Sequence, residues 1–143
     1  TCAAQSAAFL RVAALVPRIH VAHVKTEKLG DRHLRVEFRA FNSGYLGSYG
    51  LSSAKDLPIS ENLRLSVEGD NYTVLSPAES VQDMGHLDGW GQGLHHGISI
   101  FMPWTRGNVS EKTVTLVVKG SGDLRIKVGS CRVGWQSLVV STE

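Results

Sequence analysis

Six histidines are the first residues in this sequence that suggest chemistry, as metal ligands or acid–base groups. Their spacing argues against it. His20 and His23 are three apart, which is usable on a helix, but on a strand they point to opposite faces and cannot share an ion. His95 and His96 are adjacent and meet the same obstacle. No His-Glu-x-x-His or Cys-x-x-Cys occurs. Nucleophilic catalysis fares no better. Gly47-Ser48-Tyr49-Gly50 is not the Gly-x-Ser-x-Gly elbow between strand and helix, and no spacing singles out a serine to join His86 and Asp88 in a triad. Gly89-Trp-Gly-Gln-Gly93 lacks the Lys-Ser/Thr that follows a phosphate loop. These residues therefore give no catalytic group, no metal ligand and no cofactor site.

Binding chemistry is better represented. Two glycine-rich stretches carry aromatics: Asn42-Ser-Gly-Tyr-Leu-Gly-Ser-Tyr-Gly50, running on to about Glu61, and Gly85-His-Leu-Asp-Gly-Trp-Gly-Gln-Gly93, followed by Leu94-His-His-Gly97. A connection between two strands needs only two to five residues, and longer loops are often functional. The candidate contact residues are Asn42, Gly44 and Tyr45 in the first, and Gly85, His86, Leu87, Asp88, Gly89 and Trp90 in the second. Asn42 is expected to bond local backbone, Tyr45 to be at least half buried, and Gly44 to allow a turn with φ > 0. His86 and Asp88 can anchor the second loop, with an ordered base at 85–89 and a more mobile tip at 90–96. Of the three tryptophans, Trp90 is the surface candidate for a partner or a sugar ring, and Trp135 is expected in the core. Trp104 completes the set. Asn71-Tyr-Thr73 and Asn108-Val-Ser110 match glycosylation acceptors, a pattern common by chance.

The elements that must position these loops are strands. Residues 32–42 alternate cleanly, with Leu34, Val36, Phe38 and Ala40 on one face and Arg35, Glu37 and Arg39 on the other. Ile19 to Leu29 is a strand before it, joined through a turn at Gly30-Asp31. Leu63, Leu65 and Val67 face inward in 62–68, before a turn at Gly69-Asp-Asn71. Tyr72 to Leu75 is short and β-prone. Val114, Leu116 and Val118 face inward in 112–119; Gly120 to Asp123 is a turn. Leu124, Ile126 and Val128 do so in 124–131, and Trp135 to Val140 is the last strand. Seven or more short strands predict an all-β, Ig-like antiparallel β-sandwich. Before them, residues 3–16 are rich in Ala and Leu and form a helix that Pro17 ends. Its apolar positions run nearly all the way round. It is expected to dock on the sandwich with one face and to leave another uncovered, favouring self-association.

Composition bounds the rest. The 143 residues fit one domain, with 42% hydrophobic and 20% charged residues. A net charge of +2, from 15 basic and 13 acidic residues, offers no electrostatic footprint for nucleic acid or a membrane surface. No run of apolar residues is long enough to span a bilayer. The two cysteines make no disulfide framework. Cys131, in an apolar alternating stretch, is expected to be a buried thiol; pairing with Cys2 stays open. Free-looking cysteines lean weakly toward a reducing compartment. The chain starts with Thr and an Ala-rich helix, which reads as a piece of a longer protein. Residues 1–17 are assigned to the end of, or linker from, an upstream domain, and 18–143 to the sandwich.

The order of the Ala-rich helix, Leu15-Val-Pro17, a strand pair, Asn42-Ser-Gly-Tyr-Leu46, Gly85-His-Leu-Asp-Gly89, Val118-Lys-Gly120 and Arg132-Val-Gly134 resembles a known pattern. It is similar to the C-terminal β-sandwich that follows the catalytic domain in a group of bacterial zinc carboxypeptidases of the carboxypeptidase A-like family. There the pattern runs roughly Asn-Thr-Gly-Tyr-Leu-Pro-Thr, Gly-His-Leu-x-Gly and Arg-Ala-Gly. Here Gly47-Ser48 replaces Pro-Thr and Val133 replaces Ala. The family's zinc-binding His-x-x-Glu has no counterpart in this sequence. The resemblance implies a non-catalytic accessory domain, with the upstream catalytic domain as its partner and zinc held there. The alternatives are a free-standing carbohydrate- or protein-binding module and, less well supported, a small hydrolase.

Overall fold

The structure, a computed structural model, describes residues 2–59, 61–79, 81–91 and 109–142. Its order is helix α1 (Cys2–Ala13), β1 (Ile19–Gly30), β2 (His33–Asn42), a 3-10 turn (Ser52–Asp56), β3 (Leu63–Glu68), β4 (Tyr72–Ser76), β5 (Val81–Gly85), β6 (Glu111–Gly120), β7 (Gly122–Ser130) and β8 (Gly134–Thr142). Among the described residues two four-stranded sheets form, in the orders β1-β2-β6-β4 and β5-β3-β7-β8. Every pairing between these strands is antiparallel. The protein is an all-β antiparallel sandwich with one N-terminal helix.

The period of two decides which residues meet. Leu34, Val36, Phe38 and Ala40 of β2, with Leu116 and Val118 of β6, line the inner face of the first sheet. Leu63, Leu65 and Val67 of β3, with Leu124, Ile126 and Val128 of β7, line the second. These residues, with Ile19, Met84, Leu87 and Val140, form one continuous core. Burial of such side chains stabilises by about 1.5–3 kcal/mol each. The outer faces hold surface ion pairs such as Arg35–Glu27 and Lys127–Glu68, of a kind that contributes little.

Turn chemistry follows the sheet geometry. Arg32 takes a φ of 59° where β1 folds back on β2. The chain crosses from the first sheet to the second between β6 and β7 with Ser121 as the only residue between the strands, flanked by Gly120 at φ 153° and Gly122 at φ 111°. That crossing replaces the four-residue turn expected at Gly120 to Asp123, because β7 already begins at Gly122.

Four further expectations need correction. Helix α1 ends at Ala13 rather than residue 16, and it buries none of its residues, so it does not dock by one face. Trp135 is 48% exposed, not core. Leu138 and Val140 turn inward, so the alternation sends Trp135 and Val139 to the outer face. Cys131 is exposed because β7 ends at Ser130 and the thiol falls in the turn beyond it. β5 was not expected at all: only Met84 of its five residues is buried, so it carries no alternating signal.

Candidate functional site

The two glycine-rich segments come together at one end of the sandwich. The first follows β2 of one sheet and the second follows β5 of the other. The Ser48 N–H donates to the Leu87 carbonyl at 2.8 Å, and Ser48 Oγ accepts from the Leu87 N–H at 3.0 Å. The Trp90 N–H donates to the Gly44 carbonyl at 3.1 Å and the Gly91 N–H to that of Tyr45 at 3.0 Å. Leu87 is fully buried and fixes the second loop to the core.

Asn42 sits at the centre. It is buried, and each half of its side-chain amide makes two bonds. Oδ1 accepts from the N–H groups of Arg18 and Gly44, both at 2.9 Å. Nδ2 donates to the carbonyls of Leu46 at 2.8 Å and Asp88 at 3.3 Å. One residue thus joins the approach to β1, its own loop and the second loop. The expected bonding of Asn42 to local backbone holds, and Tyr45 is half-buried as expected. Gly44 needs another explanation, because its φ does not lie in the left-handed region. It is required by close approach: a Cβ there would run into the Val16 carbonyl and lie 2.7 Å from the Arg18 nitrogen. The same holds at Gly89, where a Cβ would collide with the carbonyl of Tyr45 and lie 2.5 Å from Leu46. Gly85 does adopt a positive φ, 67°, where β5 turns into the loop.

The acid–base groups of this end are used as braces. Tyr49, 2% exposed, donates its hydroxyl to Asp88 Oδ1 at 2.7 Å. Burial and the Asp88 carboxylate hold the Tyr49 phenol well above its ordinary range. Asp88 Oδ2 accepts from the Val109 N–H at 3.3 Å. Lys55 lies 3.6 Å from Asp88 and 3.9 Å from the centre of the Tyr49 ring. Arg132, in the β7–β8 turn, donates to the Tyr49 carbonyl at 3.0 Å. His86 packs edge-on against Tyr49 and lies 3.4 Å from Ser48 Oγ. Burial, then Lys55 and Arg132, push the imidazole below its ordinary pKa. Ser48, His86 and Asp88 are thus neighbours, yet Ser48 is 2% exposed and its oxygen is bonded to backbone. Sequence reading missed Ser48, Tyr49, Lys55 and Arg132 as members of this cluster. Their partners lie 33 to 83 residues away in the chain, where no local pattern reports them.

Among the described residues this end shows aromatic and aliphatic side chains to solvent. Trp90 packs edge-to-face on Tyr45 at 4.5 Å and stays 56% exposed. Leu51, Leu57, Ile59 and Val109 are exposed too. A recess of about 370 Å³ lies elsewhere, between Glu68, Asp70, Asp123 and Arg125.

His20 and His23 lie apart on β1. His20 pairs with Phe41 and His23 with Phe38, on opposite faces. His20 Nε2 is 2.8 Å from Ser43 Oγ, and His23 Nε2 is 2.8 Å from Thr26 Oγ1. Among the described residues no three His, Cys, Asp or Glu side chains gather to hold a metal ion. His95, His96, Trp104, Asn108 and the loop tip beyond Gly91 lie outside the described residues. Among those described, no helix is long and apolar enough to cross a membrane.

No curated protein matches this chain. Among solved structures, a β-glucosidase from Streptomyces venezuelae, DesR, in complex with D-glucose, is similar at 13% identity and a TM-score of 0.32. The match covers 87% of this chain but 15% of that one. A family model, described as Domain of unknown function (DUF8731), matches residues 18–141, which takes in β1 to β7, β8 up to Ser141 and both glycine-rich segments but leaves out α1. The chain belongs to that family.

Proposed function

We propose that this domain is a non-catalytic accessory module that docks onto a neighbouring domain through the end built by residues 42–50 and 85–91. The observation that carries the reading is Trp90. Its backbone N–H is tied to Gly44 and its ring rests on Tyr45, yet more than half of the side chain is exposed. A large aromatic on a braced base, with exposed Leu51, Leu57 and Ile59 on the β2–β3 connection to which that base is bonded, has the composition of an interface centre. The groups that could do acid–base chemistry there are committed to one another, which favours holding over catalysis.

The proposed setting is a zinc carboxypeptidase-like protein. The support is the ordered resemblance of Asn42-Ser-Gly-Tyr-Leu46, Gly85-His-Leu-Asp-Gly89 and Arg132-Val-Gly134 to that family's accessory sandwich. Zinc and the catalytic residues would belong to the upstream domain, and this domain would stabilise it or shape access to its cleft.

The test is Trp90→Ala in the isolated domain and in the longer protein. In the isolated domain the midpoint should move by no more than about 0.5 kcal/mol in stability. In the longer protein it should clearly lower stability or peptidase activity. Equal effects in both would make Trp90 a structural residue and sink the docking role. A longer gene with no zinc-binding His-x-x-Glu ahead of Thr1 would remove the peptidase setting and leave the docking surface to be tested alone.

A further inference from the structure

Among the described residues the sandwich has four sheet edges, β1, β4, β5 and β8, and three of them are guarded. β1 is bulged between His23 and Lys25 and again between Lys28 and Gly30, with Lys25, Glu27 and Lys28 along it. β4 has five residues and a register shift between Val74 and Ser76. β5 also has five residues and carries Asp83. Bulges, charges and shortness are the devices that keep strand edges from pairing with other chains.

β8 has none of them. It runs in unbroken register with β7 over nine pairs, from Gly134–Ser130 to Thr142–Gly122. Its sequence, Gly-Trp-Gln-Ser-Leu-Val-Val-Ser-Thr, holds no charge and no proline. β1 lies in the facing sheet and comes close to β8, but among the described residues only β7 shares a ladder with it. A strand with one neighbour leaves alternate backbone N–H and C=O groups along its free edge.

We propose that the chain forms a dimer by pairing β8 antiparallel with β8 of a second copy, about a two-fold axis at Leu138. The strand is self-complementary in that register. Ser137 falls opposite the second copy's Val139, and Trp135 opposite its Ser141, outward residue against outward residue; on the other side of the strand the exposed Gln136 meets Val140. All nine positions pair, and no charge faces a like charge. The exposed Trp135 and Val139, 48% and 50% accessible, become diagonal neighbours across the joint. A two-fold axis requires one patch to match itself, and an uncharged strand satisfies this where β1, with lysines and glutamate, does not. In the other layer the bulged β1 edges stay unpaired, so one continuous sheet forms across the two copies.

The experiment is sedimentation equilibrium of the full chain, with two double variants. The unmodified chain should sediment as two 15.5 kDa subunits. Ser137→Lys with Val139→Lys, and Ser137→Glu with Val139→Glu, each set like charges opposite one another and should be monomeric. Mixed, they should associate at least about tenfold more tightly than either alone. Backbone amides of 134–142 in the unmodified chain should gain protection from hydrogen exchange as concentration rises, a readout that does not depend on the variants folding. The proposal is overturned by a monomer up to about 1 mM, by a dimer that both variants keep, by a dimer lost on removing residues 1–16 instead, or by exchange in β8 that ignores concentration.

Discussion

Helix α1 and the loop end of the sandwich are joined by residues 14–18 and are built from similar material. Both are rich in small and apolar residues; Phe9, Leu10 and Val12 on the helix are as exposed as Trp90 in the loop. The difference is in what lies beneath. The loop end hangs its exposed aromatic on a base in which Asn42, Ser48, Leu87 and Tyr49 are all buried and cross-bonded. The helix has no buried residue, and it is the chain leaving it that is bonded to the sandwich, where the Leu15 carbonyl accepts from the Leu46 N–H. Apolar composition alone therefore says little about commitment. The loop end is fixed by polar groups that only one arrangement satisfies, and a helix of Ala, Leu and Val offers its neighbours no such constraint.

That contrast is broken most forcefully at Gly89. Gly89→Val should destabilise the domain by about 3 kcal/mol, because the new Cβ meets backbone carbonyls of Tyr45 and Leu46 that cannot swing aside. Chemical denaturation measures this, and an unchanged midpoint would mean that the two loops do not touch as described. Asn42→Ala should cost somewhat less, about 2–3 kcal/mol, since it leaves buried N–H and C=O groups without partners. The same titration reads it, and Asn42→Asp should recover only the part owed to Oδ1. At the other extreme, removing residues 1–13 should change stability by no more than about 0.5 kcal/mol. A large loss in that truncation, followed by thermal melting, would show that the helix is held in a way its exposure does not suggest.

The strands were legible because alternation is local. Leu34 to Ala40, Leu63 to Val67 and Leu124 to Val128 name their own inward faces, and the structure buries all of them. β5 was not legible: with one buried residue in five it reads as part of a loop, and its place is fixed by β3 alongside it. Trp135 was misplaced because a tryptophan in a strand suggests core by size, whereas Leu138 and Val140 in the same strand set the opposite phase. Both loops could be picked out by their glycines and aromatics, but not their closure on each other. That depends on Asn42 reaching Asp88 and Tyr49 reaching Asp88, contacts 46 and 39 residues apart. Gly44 shows the same limit at one residue. The sequence says that a side chain is unwelcome there; only the fold shows that the obstacle is the backbone at Val16 to Arg18, not the turn itself.

The bonds between residues 15–18 and 42–46 also determine how the domain responds to being pulled. The Arg18 carbonyl accepts from Ser43, the Leu15 carbonyl accepts from Leu46, and the Arg18 N–H is held by Asn42. Tension applied through any segment joined ahead of Leu15 therefore reaches the knot around Asn42 before it reaches the β1–β2 ladder. Because that knot ties a loop following β2 to a loop following β5, the load divides between the two sheets instead of peeling β1 from its edge. The first rupture under force belongs to a few polar bonds at one end, and the hydrophobic interior is loaded only after they give way.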